Sequence, residues 1–390
     1  MNNAEVAYAH ITRPFACIDL DALDQNIAFV NGASGGKGIR VATKSVRSTV
    51  LLQYIAERLN NHAGWMTFDL KETLHLLQEG FDDLLLGYPQ VEEEPMDRII
   101  PYIREGRCVI FMIDRIEQWE WLDAIGKRND VVFEICIDLN VSTDFKMIYF
   151  GTKRSSLRTI DCVNELLEFG NSFTHTVITG AMGYEAQIAG VPDSPVANWQ
   201  SPLIKQLKRL SRKSVRDFRK SAVERIHEKS PTLRFVNGGG SGSIDFTSNE
   251  KEVTELTIGS AFYFPALFSR YRNLPLEPAT AFALRITRKP EQGVVVCHGG
   301  GYIASGATGV DKNPEPDWPK NLSLLKNEGA GEVQTPLLDK KGALKIGDTV
   351  YFRHAKAGEL CERFSELHAR RGSVYEGTYK TYRGEGGCFL

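Results

Sequence analysis

Residues 233–243 read LRFVNGGGSGS, and residues 255–261 read ELTIGSA. In both stretches a short run typical of a buried strand ends in glycine and serine. Such loops expose successive backbone N–H groups, and glycine permits the close approach that an anion requires. Loops after the seventh and eighth strands of a (β/α)8 barrel are where phosphate is most often held. The two stretches together predict a barrel with an anion site, although each loop by itself is also compatible with a plain turn.

Six more runs of this kind come earlier in the chain and alternate with amphipathic helical stretches such as 48–60 and 69–80. Most of the runs carry Val, Ile and Leu at odd and even positions, as expected of parallel strands covered on both faces. Eight strand–helix units over roughly 230 residues favour an α/β fold, a TIM-type (β/α)8 barrel, with a doubly wound sheet as the competing arrangement. The predicted barrel strands are 39–43, 65–68, 83–88, 108–113, 131–139, 173–180, 233–237 and 255–258.

The pattern changes in the last third of the chain. From Ala279 onward the runs alternate or are β-branched, and glycine, proline and aspartate interrupt them, which predicts a C-terminal, mostly antiparallel β domain. One helix is predicted within it, at 355–370. The early run 15–20 would be a ninth barrel strand, so we assign it to the β domain. The predicted domains are residues 21–272 for the barrel and residues 1–20 plus 273–390 for the β domain.

Composition excludes several classes of protein. The 390 residues are 42% hydrophobic and 25% charged, with a formal net charge of −2, which is unlike a disordered or coiled-coil chain. No apolar run reaches the ~18–20 residues of a transmembrane helix, and the N-terminal residues lack a secretory pattern. The seven cysteines are scattered without CxxC spacing, which argues against a disulfide framework. We expect a cytoplasmic protein with no nucleic acid and no membrane among its partners.

One basic stretch could suggest nucleic-acid binding, because residues 205–220 contain eight lysines and arginines. However, Leu203, Leu207, Leu210 and Phe218 recur at helical spacing. This periodicity predicts a long helix whose apolar stripe is buried and whose basic residues form a solvated face.

A lysine follows the first predicted barrel strand, in the stretch RVATKSVR (40–47). Barrel enzymes place their chemistry at the carboxyl ends of the strands, and a lysine there can act as a Schiff-base nucleophile. The simpler alternative is an exposed lysine at a strand end. A strand-end Lys44 together with an anion site indicates pyridoxal 5′-phosphate (PLP), with its aldehyde on Lys44 and its phosphate in the two glycine loops.

The order of four motifs now resembles a known family. FACIDLDAL (15–23), Lys44, AMGYE (181–185) and GGGSG (238–242) are similar to segments of the alanine-racemase-type (fold type III) PLP enzymes. Within this fold the chain is most similar to the D-threonine aldolase and D-serine dehydratase branch, often labelled amino acid deaminase/aldolase, over about residues 13–375. The resemblance implies a PLP-holding barrel plus a β domain, and a homodimer with the active site at the subunit interface.

By this resemblance Lys44 is the catalytic PLP lysine and Tyr184 lies near the cofactor. Arg154 is a candidate for contact with the pyridine ring, with a surface arginine as the alternative. The residues that match the phosphate-binding segments are Gly239, Gly240, Ser241, Gly259 and Ser260.

The sequence departs from the branch at the metal site. The resemblance implies a divalent metal on a His-x-Cys or His-x-Asp pair in the β domain, whereas this chain has His354-Ala355-Lys356. Glu359 and Cys361, on the predicted helix, are the nearest substitutes. We therefore predict a candidate site for Mn, Zn or Mg on His354 and Cys361, with His354 catalytic. The alternative is that His354 caps the helix and Cys361 packs in the core.

These observations predict a PLP-dependent lyase acting on a small-molecule substrate, a β-hydroxy amino acid of implied D configuration. Retro-aldol cleavage to glycine and an aldehyde is the first choice, and dehydration to a 2-oxo acid is the sibling reaction. A PLP-dependent racemase, with Tyr302 or Tyr351 as its second base, is the alternative enzyme. A non-enzymatic PLP-binding protein is less compatible with the long β domain.

Overall fold

The computed structural model describes residues 3–146, 148–194, 201–272 and 274–390. Helices and strands are numbered along this part of the chain. The strands are β1 (Phe15–Asp19), β2 (Gly38–Ala42), β3 (His62–Thr67), β4 (Leu84–Leu86), β5 (Val109–Ile113), β6 (Phe133–Leu139), β7 (Thr143–Asp144), β8 (Tyr149–Phe150), β9 (Thr176–Gly183), β10 (Phe235–Gly238), β11 (Glu255–Ile258), β12 (Thr280–Glu291), β13 (Val294–His298), β14 (Glu315–Trp318), β15 (Leu322–Leu324), β16 (Gln334–Asp339), β17 (Thr349–Arg353), β18 (Glu366–Arg371) and β19 (Val374–Lys380). The α-helices are α1 (Asn3–Ala7), α2 (Leu20–Ala33), α3 (Thr49–Ala56), α4 (Leu70–Gln78), α5 (Glu93–Arg104), α6 (Ile116–Asn129), α7 (Ile160–Gly170), α8 (Ala186–Ala189), α9 (Ser201–Lys229), α10 (Ile244–Thr247) and α11 (Ser260–Tyr263).

Eight parallel strands close into a barrel, in the order β2, β3, β4, β5, β6, β9, β10 and β11. Closure occurs where β11 pairs with β2, with Thr257 opposite Arg40. The predicted (β/α)8 barrel is confirmed, and closure excludes the doubly wound sheet. Six residues of the barrel strands form a buried apolar cluster: Leu85, Ile110, Met112, Cys136, Met182 and Phe235.

Arg40 is a structural residue of the barrel. It is only 2% exposed. Its Nε donates to Oε1 of Glu255 at 2.7 Å, and its NH1 donates to Oδ1 of Asp83 at 2.9 Å. A buried guanidinium needs such partners, because an unpaired charge in the interior is costly. Arg40 therefore connects β2 with β11 and with the residue that precedes β4.

The remaining strands form a mostly antiparallel sheet in the order β15, β16, β13, β12, β1, β18 and β19, with β17 pairing with both β12 and β14. β1 pairs antiparallel with β12 and parallel with β18. The early strand therefore belongs to the same sheet as strands from the last third of the chain.

The helix predicted at 355–370 is wrong. A short 3-10 turn occupies Gly358–Glu362, and β18 begins at Glu366. Hydrogen bonding of β18 to β1 and β19 overrides the helical propensity of this segment. Glu359 and Cys361 are consequently presented by a 3-10 turn and not by an α-helix.

By its internal contacts the chain forms two compact units. One contains the barrel strands and consists of Asn31–Lys44, Leu59–Gly259 and Phe389–Leu390. The other contains the antiparallel sheet and consists of Met1–Val30, Ser45–Arg58 and Ser260–Cys388. Within the part of the chain that is described, none of the helices has the length and apolarity needed to cross a membrane.

Helix α9 confirms the predicted long helix but not its predicted buried face. Leu203 and Leu210 are 52% and 49% exposed, whereas the basic residues Lys208 and Arg219 are buried. Lys208 pairs with Asp193 at 2.8 Å. The buried side of α9 thus combines an apolar stripe, Val215, Ala222 and Ile226, with basic residues that have carboxylate partners.

Candidate active site

Lys44 stands at the carboxyl end of β2, in the 3-10 turn Thr43–Ser45. The hydroxyl of buried Thr43 donates to the carbonyl of Met66 at 2.9 Å, which fixes the start of this turn against the end of β3. Lys44 itself is exposed. Its Nζ lies 2.5 Å from the hydroxyl of Tyr88, two residues after β4. The predicted lysine therefore presents its amine at the face where barrel enzymes carry out their chemistry.

Arg154 joins the same group of side chains. Its Nε donates to Oδ2 of Asp138 at 2.6 Å, its NH2 donates to the carbonyl of Gly87 at 2.6 Å, and its Cζ lies 4.8 Å from the ring centre of Tyr88. Asp138 belongs to β6 and is 1% exposed. Arg154 is thus oriented at the strand ends and is not a surface arginine.

Two cations act on Tyr88. Burial raises the pKa of the Tyr88 phenol, but Lys44 and Arg154 lower it further than burial raises it, so the pKa lies below its ordinary value.

Burial raises the pKa of Asp138 to about 6, against the opposing effect of Arg154. At neutral pH the Asp138–Arg154 pair is therefore ionised. Oδ1 of Asp138 is buried and has no hydrogen-bond partner among the described residues.

Tyr184 follows β9 and packs against the glycine-rich loop. A Cβ atom added at Gly240 would lie 3.2 Å from Cε2 of Tyr184 and 3.1 Å from Cβ of Ala189, so the loop and the ring are in close contact. Burial, reinforced by the charges of Glu185 and Tyr88, raises the pKa of Tyr184 to about 12. This phenol therefore stays protonated at neutral pH, and its pKa is shifted in the direction opposite to that of Tyr88.

The loop after β10 begins with a glycine in the left-handed backbone region. Gly239 has φ of +86°, a conformation that favours glycine, and the chain then forms the 3-10 turn Ser241–Ser243. The N–H of Gly240 donates to Oγ of Ser243 at 3.2 Å. Gly259 directly follows β11, the neighbour of β10, and Ser260 is the first residue of α11. The two predicted loops therefore follow adjacent strands of the closed barrel.

A buried ion cluster holds the first of these loops. Both Arg219, on α9, and Glu185 are completely buried, and they pair at 2.7 Å; Arg219 also pairs with buried Glu250. Glu185 accepts from the N–H of Gly239 at 3.2 Å and from Oγ of Ser243 at 2.7 Å. Buried ionised groups persist only when paired and hydrogen-bonded, so this cluster sets the position of the loop.

Three residues of this site were not predicted from the sequence. Tyr88 and Asp138 were overlooked although each lies at or just after the end of a predicted strand, which is a usable signal in a barrel. Arg219 was assigned to a solvated face, although it lies four residues after Val215 and three before Ala222, both of which are buried.

The predicted metal ligands, His354 and Cys361, lie in the unit that contains the antiparallel sheet. Their donor atoms already have hydrogen-bond partners. His354 is 3% exposed, with Nε2 2.7 Å from Oγ1 of Thr280 and Nδ1 2.6 Å from the carbonyl oxygen of Lys356. Burial lowers the pKa of His354 to about 4 and raises the pKa of Cys361 to about 12. No group of three or more His, Cys, Asp or Glu side chains within the described ranges could hold a metal ion. These residues do not fit the expected divalent cation.

A closed barrel with a lysine after its first strand and a glycine-rich loop after its seventh has the features of the barrel enzymes that hold PLP on a lysine. The model of the family described as "Alanine racemase, N-terminal domain" matches residues 18–266. This match covers more than half of the chain, so the chain belongs to that family, and the predicted resemblance is confirmed.

The relatives come from the branch that the sequence indicated. The chain is 22% identical over 263 residues to 3-hydroxy-D-aspartate aldolase of Paracoccus denitrificans (strain Pd 1222), which is 67% of this chain and 63% of that protein. It thus spans less than two thirds of that curated relative.

Two solved structures share the fold over nearly the whole chain. D-threonine aldolase from Filomicrobium marinum has a TM-score of 0.79 at 16% identity and covers 96% of each chain. D-threo-3-hydroxyaspartate dehydratase from Delftia sp. HT23 has a TM-score of 0.76 at 15% identity, covering 96% of this chain and 98% of that one. At these identities the likeness shows the fold.

Proposed function

We propose that this chain is a PLP-dependent lyase that acts on a D-configured β-hydroxy amino acid and cleaves it to glycine and an aldehyde. The observation that carries the proposal is the Lys44 amine at the carboxyl end of β2, 2.5 Å from Tyr88, in a chain of the alanine racemase N-terminal domain family. The aldolase and dehydratase relatives support the same class of reaction.

The residues of the barrel unit fit PLP. Lys44 supplies the exposed amine for the aldehyde, and the loops that begin at Gly239 and Gly259 are the candidates to hold the phosphate. The N–H groups of Gly239 and Gly240 already donate to Glu185 and Ser243, so other donors of these loops would bind it. The Tyr184 ring and the Arg154 guanidinium, held by Asp138, are the candidates that would flank the pyridine ring. When bound, PLP acts as an electron sink that makes the bonds at the substrate Cα breakable.

The protein must then move protons. Retro-aldol cleavage requires a base for the β-hydroxyl proton, whereas dehydration requires a base for the α-proton and an acid for the departing hydroxide. Tyr88, with its lowered pKa beside Lys44, is the group best suited to accept the hydroxyl proton, and the Lys44 amine would deliver a proton to Cα so that glycine is formed. The same pair could serve dehydration, with the amine as base and the phenol as acid, and we propose the aldolase reaction first because a curated relative is an aldolase.

The racemase alternative is less well supported. A second base on a tyrosine requires an accessible phenol of low pKa. Tyr351 is 4% exposed, and its hydroxyl donates to the carbonyl of Ala4 at 3.3 Å. Burial raises the pKa of Tyr302, whose ring packs 4.9 Å from that of Phe282.

We further propose that the enzyme is a cytoplasmic homodimer, which is the assembly that the alanine-racemase-type resemblance implies. Sedimentation of the purified protein as a monomer at micromolar concentration would contradict the dimer.

The first test is an absorbance spectrum of the purified protein before and after borohydride. We expect a band near ~410–420 nm from lysine-bound PLP, which borohydride abolishes and which Lys44→Ala lacks. Lys71→Ala, which removes another exposed lysine of the same unit, is the matched control and keeps the band. Absence of the band even after PLP is added would overturn the proposal.

The second test identifies the reaction by its products. D-threonine and D-3-hydroxyaspartate are incubated with the loaded enzyme, and glycine, aldehyde, 2-oxo acid and ammonia are quantified. Glycine with an equimolar aldehyde establishes the aldolase, and a 2-oxo acid with ammonia establishes the dehydratase. Inversion at Cα without either product pair would favour the racemase instead.

A further inference from the structure

The segment that follows β17 contains a histidine whose ring is fully engaged. Nδ1 of His354 lies 2.6 Å from the carbonyl oxygen of Lys356. A carbonyl oxygen only accepts, so Nδ1 carries the proton and the lone pair is on Nε2. That lone pair faces Oγ1 of Thr280 at 2.7 Å, which donates to it. Both ring nitrogens are therefore used within the unit, and a cation could take Nε2 only by displacing Thr280.

The residue two positions after His354 is Lys356, which has a positively charged side chain. Nζ of Lys356 donates to Oγ of Ser305 at 2.9 Å and lies 3.6 Å from Oε1 of Glu359. Glu359 also accepts from the backbone N–H of Ser305 at 2.9 Å and from the Ser305 hydroxyl. The Glu359 carboxylate thus already has a cation of the chain beside it.

The cysteine of the same segment is also engaged. Cys361 is completely buried, and its Sγ donates to the carbonyl oxygen of Val46 at 3.3 Å. Donation to a carbonyl requires the thiol form, whereas metals bind the thiolate. A cation at Cys361 would leave the carbonyl of Val46 without this donor.

We propose that the His354 segment does not bind a divalent cation, and that the Lys356 ammonium occupies the place of that cation beside Glu359 and Ser305. In the His-x-Cys or His-x-Asp spacing implied by the family resemblance, the second ligand position is the one that Lys356 takes. A lysine there both removes a ligand and repels a cation at short range. The Lys356 ammonium gives the segment a positive charge that requires no bound metal.

The first experiment measures metal on the wild-type protein without reference to turnover. The protein, loaded with PLP and dialysed against EDTA, is titrated with Mn²⁺, Zn²⁺ or Mg²⁺ while its melting temperature is followed, and bound metal is counted by mass spectrometry. We expect no shift in melting temperature and far less than one ion per chain, since only a ligand that binds the folded state raises stability. Retention of about one ion per chain, or a rise of several degrees, would overturn the proposal.

The second experiment tests whether Lys356 is the cause. Lys356→Asp restores the His-x-Asp spacing and removes the ammonium, so it should gain a metal-dependent rise in melting temperature and bind about one ion per chain. Lys341→Asp adds the same charge at an exposed site in the same unit and should gain neither. If Lys356→Asp folds but gains no metal, the role assigned to the lysine is wrong. These readouts need no substrate, so their result is separate from that of the proposed lyase activity.

Discussion

The hydroxyl of Tyr88 and the amine of Lys44 lie 2.5 Å apart at the carboxyl ends of β4 and β2. These strands are not neighbours, since β3 separates them in the barrel. The loops that follow β2 and β4 therefore meet at this end of the barrel, and Cζ of Arg154 lies 4.8 Å from the centre of the Tyr88 ring. Two nearby cations favour the charged form of a phenol and lower its pKa.

Replacement of Tyr88 by phenylalanine should separate proton transfer from cofactor binding. We expect Tyr88→Phe to keep the absorbance band of lysine-bound PLP and to lose activity by about 100-fold, in the range of a lost general acid or base. The pKa of Tyr88 is lowered, so its phenolate appears below pH ~10, the ordinary value for tyrosine. A titration followed at the phenolate absorbance should therefore lose its lowest step in Tyr88→Phe.

Tyr184→Phe is the matched control for this titration. Burial raises the pKa of Tyr184 to about 12, so its removal should leave the lowest tyrosine step in place. If Tyr184→Phe removes that step and Tyr88→Phe does not, the assignment of the two phenols is reversed.

We expect protonation of Asp138 to lower the activity of the enzyme at acidic pH. Its pKa is raised to about 6, so the carboxylate that holds Arg154 is ionised above that pH and becomes protonated below it. We expect activity to fall as the pH drops through about 6. Asp138→Asn should abolish this inflection and lower activity at pH ~8 by about 100-fold, because Arg154 loses its orienting partner.

The surface pair of Asp97 and Arg128 offers a control for Asp138. Both side chains are more than half exposed and lie 3.4 Å apart. Exposed pairs contribute only ~0–1 kcal/mol, so Asp97→Asn should keep the wild-type pH profile. An inflection near pH 6 that persists in Asp138→Asn would assign it to another group.

Arg219 should matter for both stability and cofactor affinity. Arg219→Met leaves Glu185 and Glu250 buried without a cation, which costs about 3–5 kcal/mol of unfolding free energy. Glu185 also holds Gly239, so the dissociation constant for PLP should rise. Lys220→Met, next in α9 and 59% exposed, should change both quantities little. Urea unfolding and PLP titration measure the two effects, and an Arg219→Met protein as stable as wild type would contradict the account.

The strands of the barrel were predictable because buried parallel strands are continuous apolar runs, as in Val109–Ile113. The segment at Glu366–Arg371 was not predictable in the same way. Its residues favour a helix locally, and only its pairing with β1, more than 340 residues away, makes it a strand. Long-range hydrogen bonding of this kind leaves no periodic signal in the sequence.

The candidate site was partly predictable for a related reason. Lys44 and Gly239 stand directly after strands, where position alone indicates function in a barrel. The residues that orient the site do not stand at such positions. Arg219 lies within the long helix α9, and its role follows only from its contact with Glu185 in the folded chain. The predicted apolar stripe placed Leu210 in the core, but the buried side of α9 runs through Val215, Arg219 and Ile226 and leaves Leu210 exposed.

Gly240→Ala tests whether close approach of the loop to Tyr184 is required. Gly240 is in an extended conformation that any residue adopts, so backbone strain does not enter. A Cβ there would lie 3.1 Å from Ala189 and 3.2 Å from Tyr184, so the loop or the ring must shift by a few tenths of an ångström. Such overpacking costs about 1–3 kcal/mol and should weaken PLP binding by about tenfold or more. Gly32→Ala, in α2 with no atom within 4 Å of the added Cβ, should instead leave PLP affinity unchanged and stabilise the helix by up to ~1 kcal/mol. Equal PLP affinities for the two variants would show that the loop tolerates a side chain and that the Tyr184 contact does not position it.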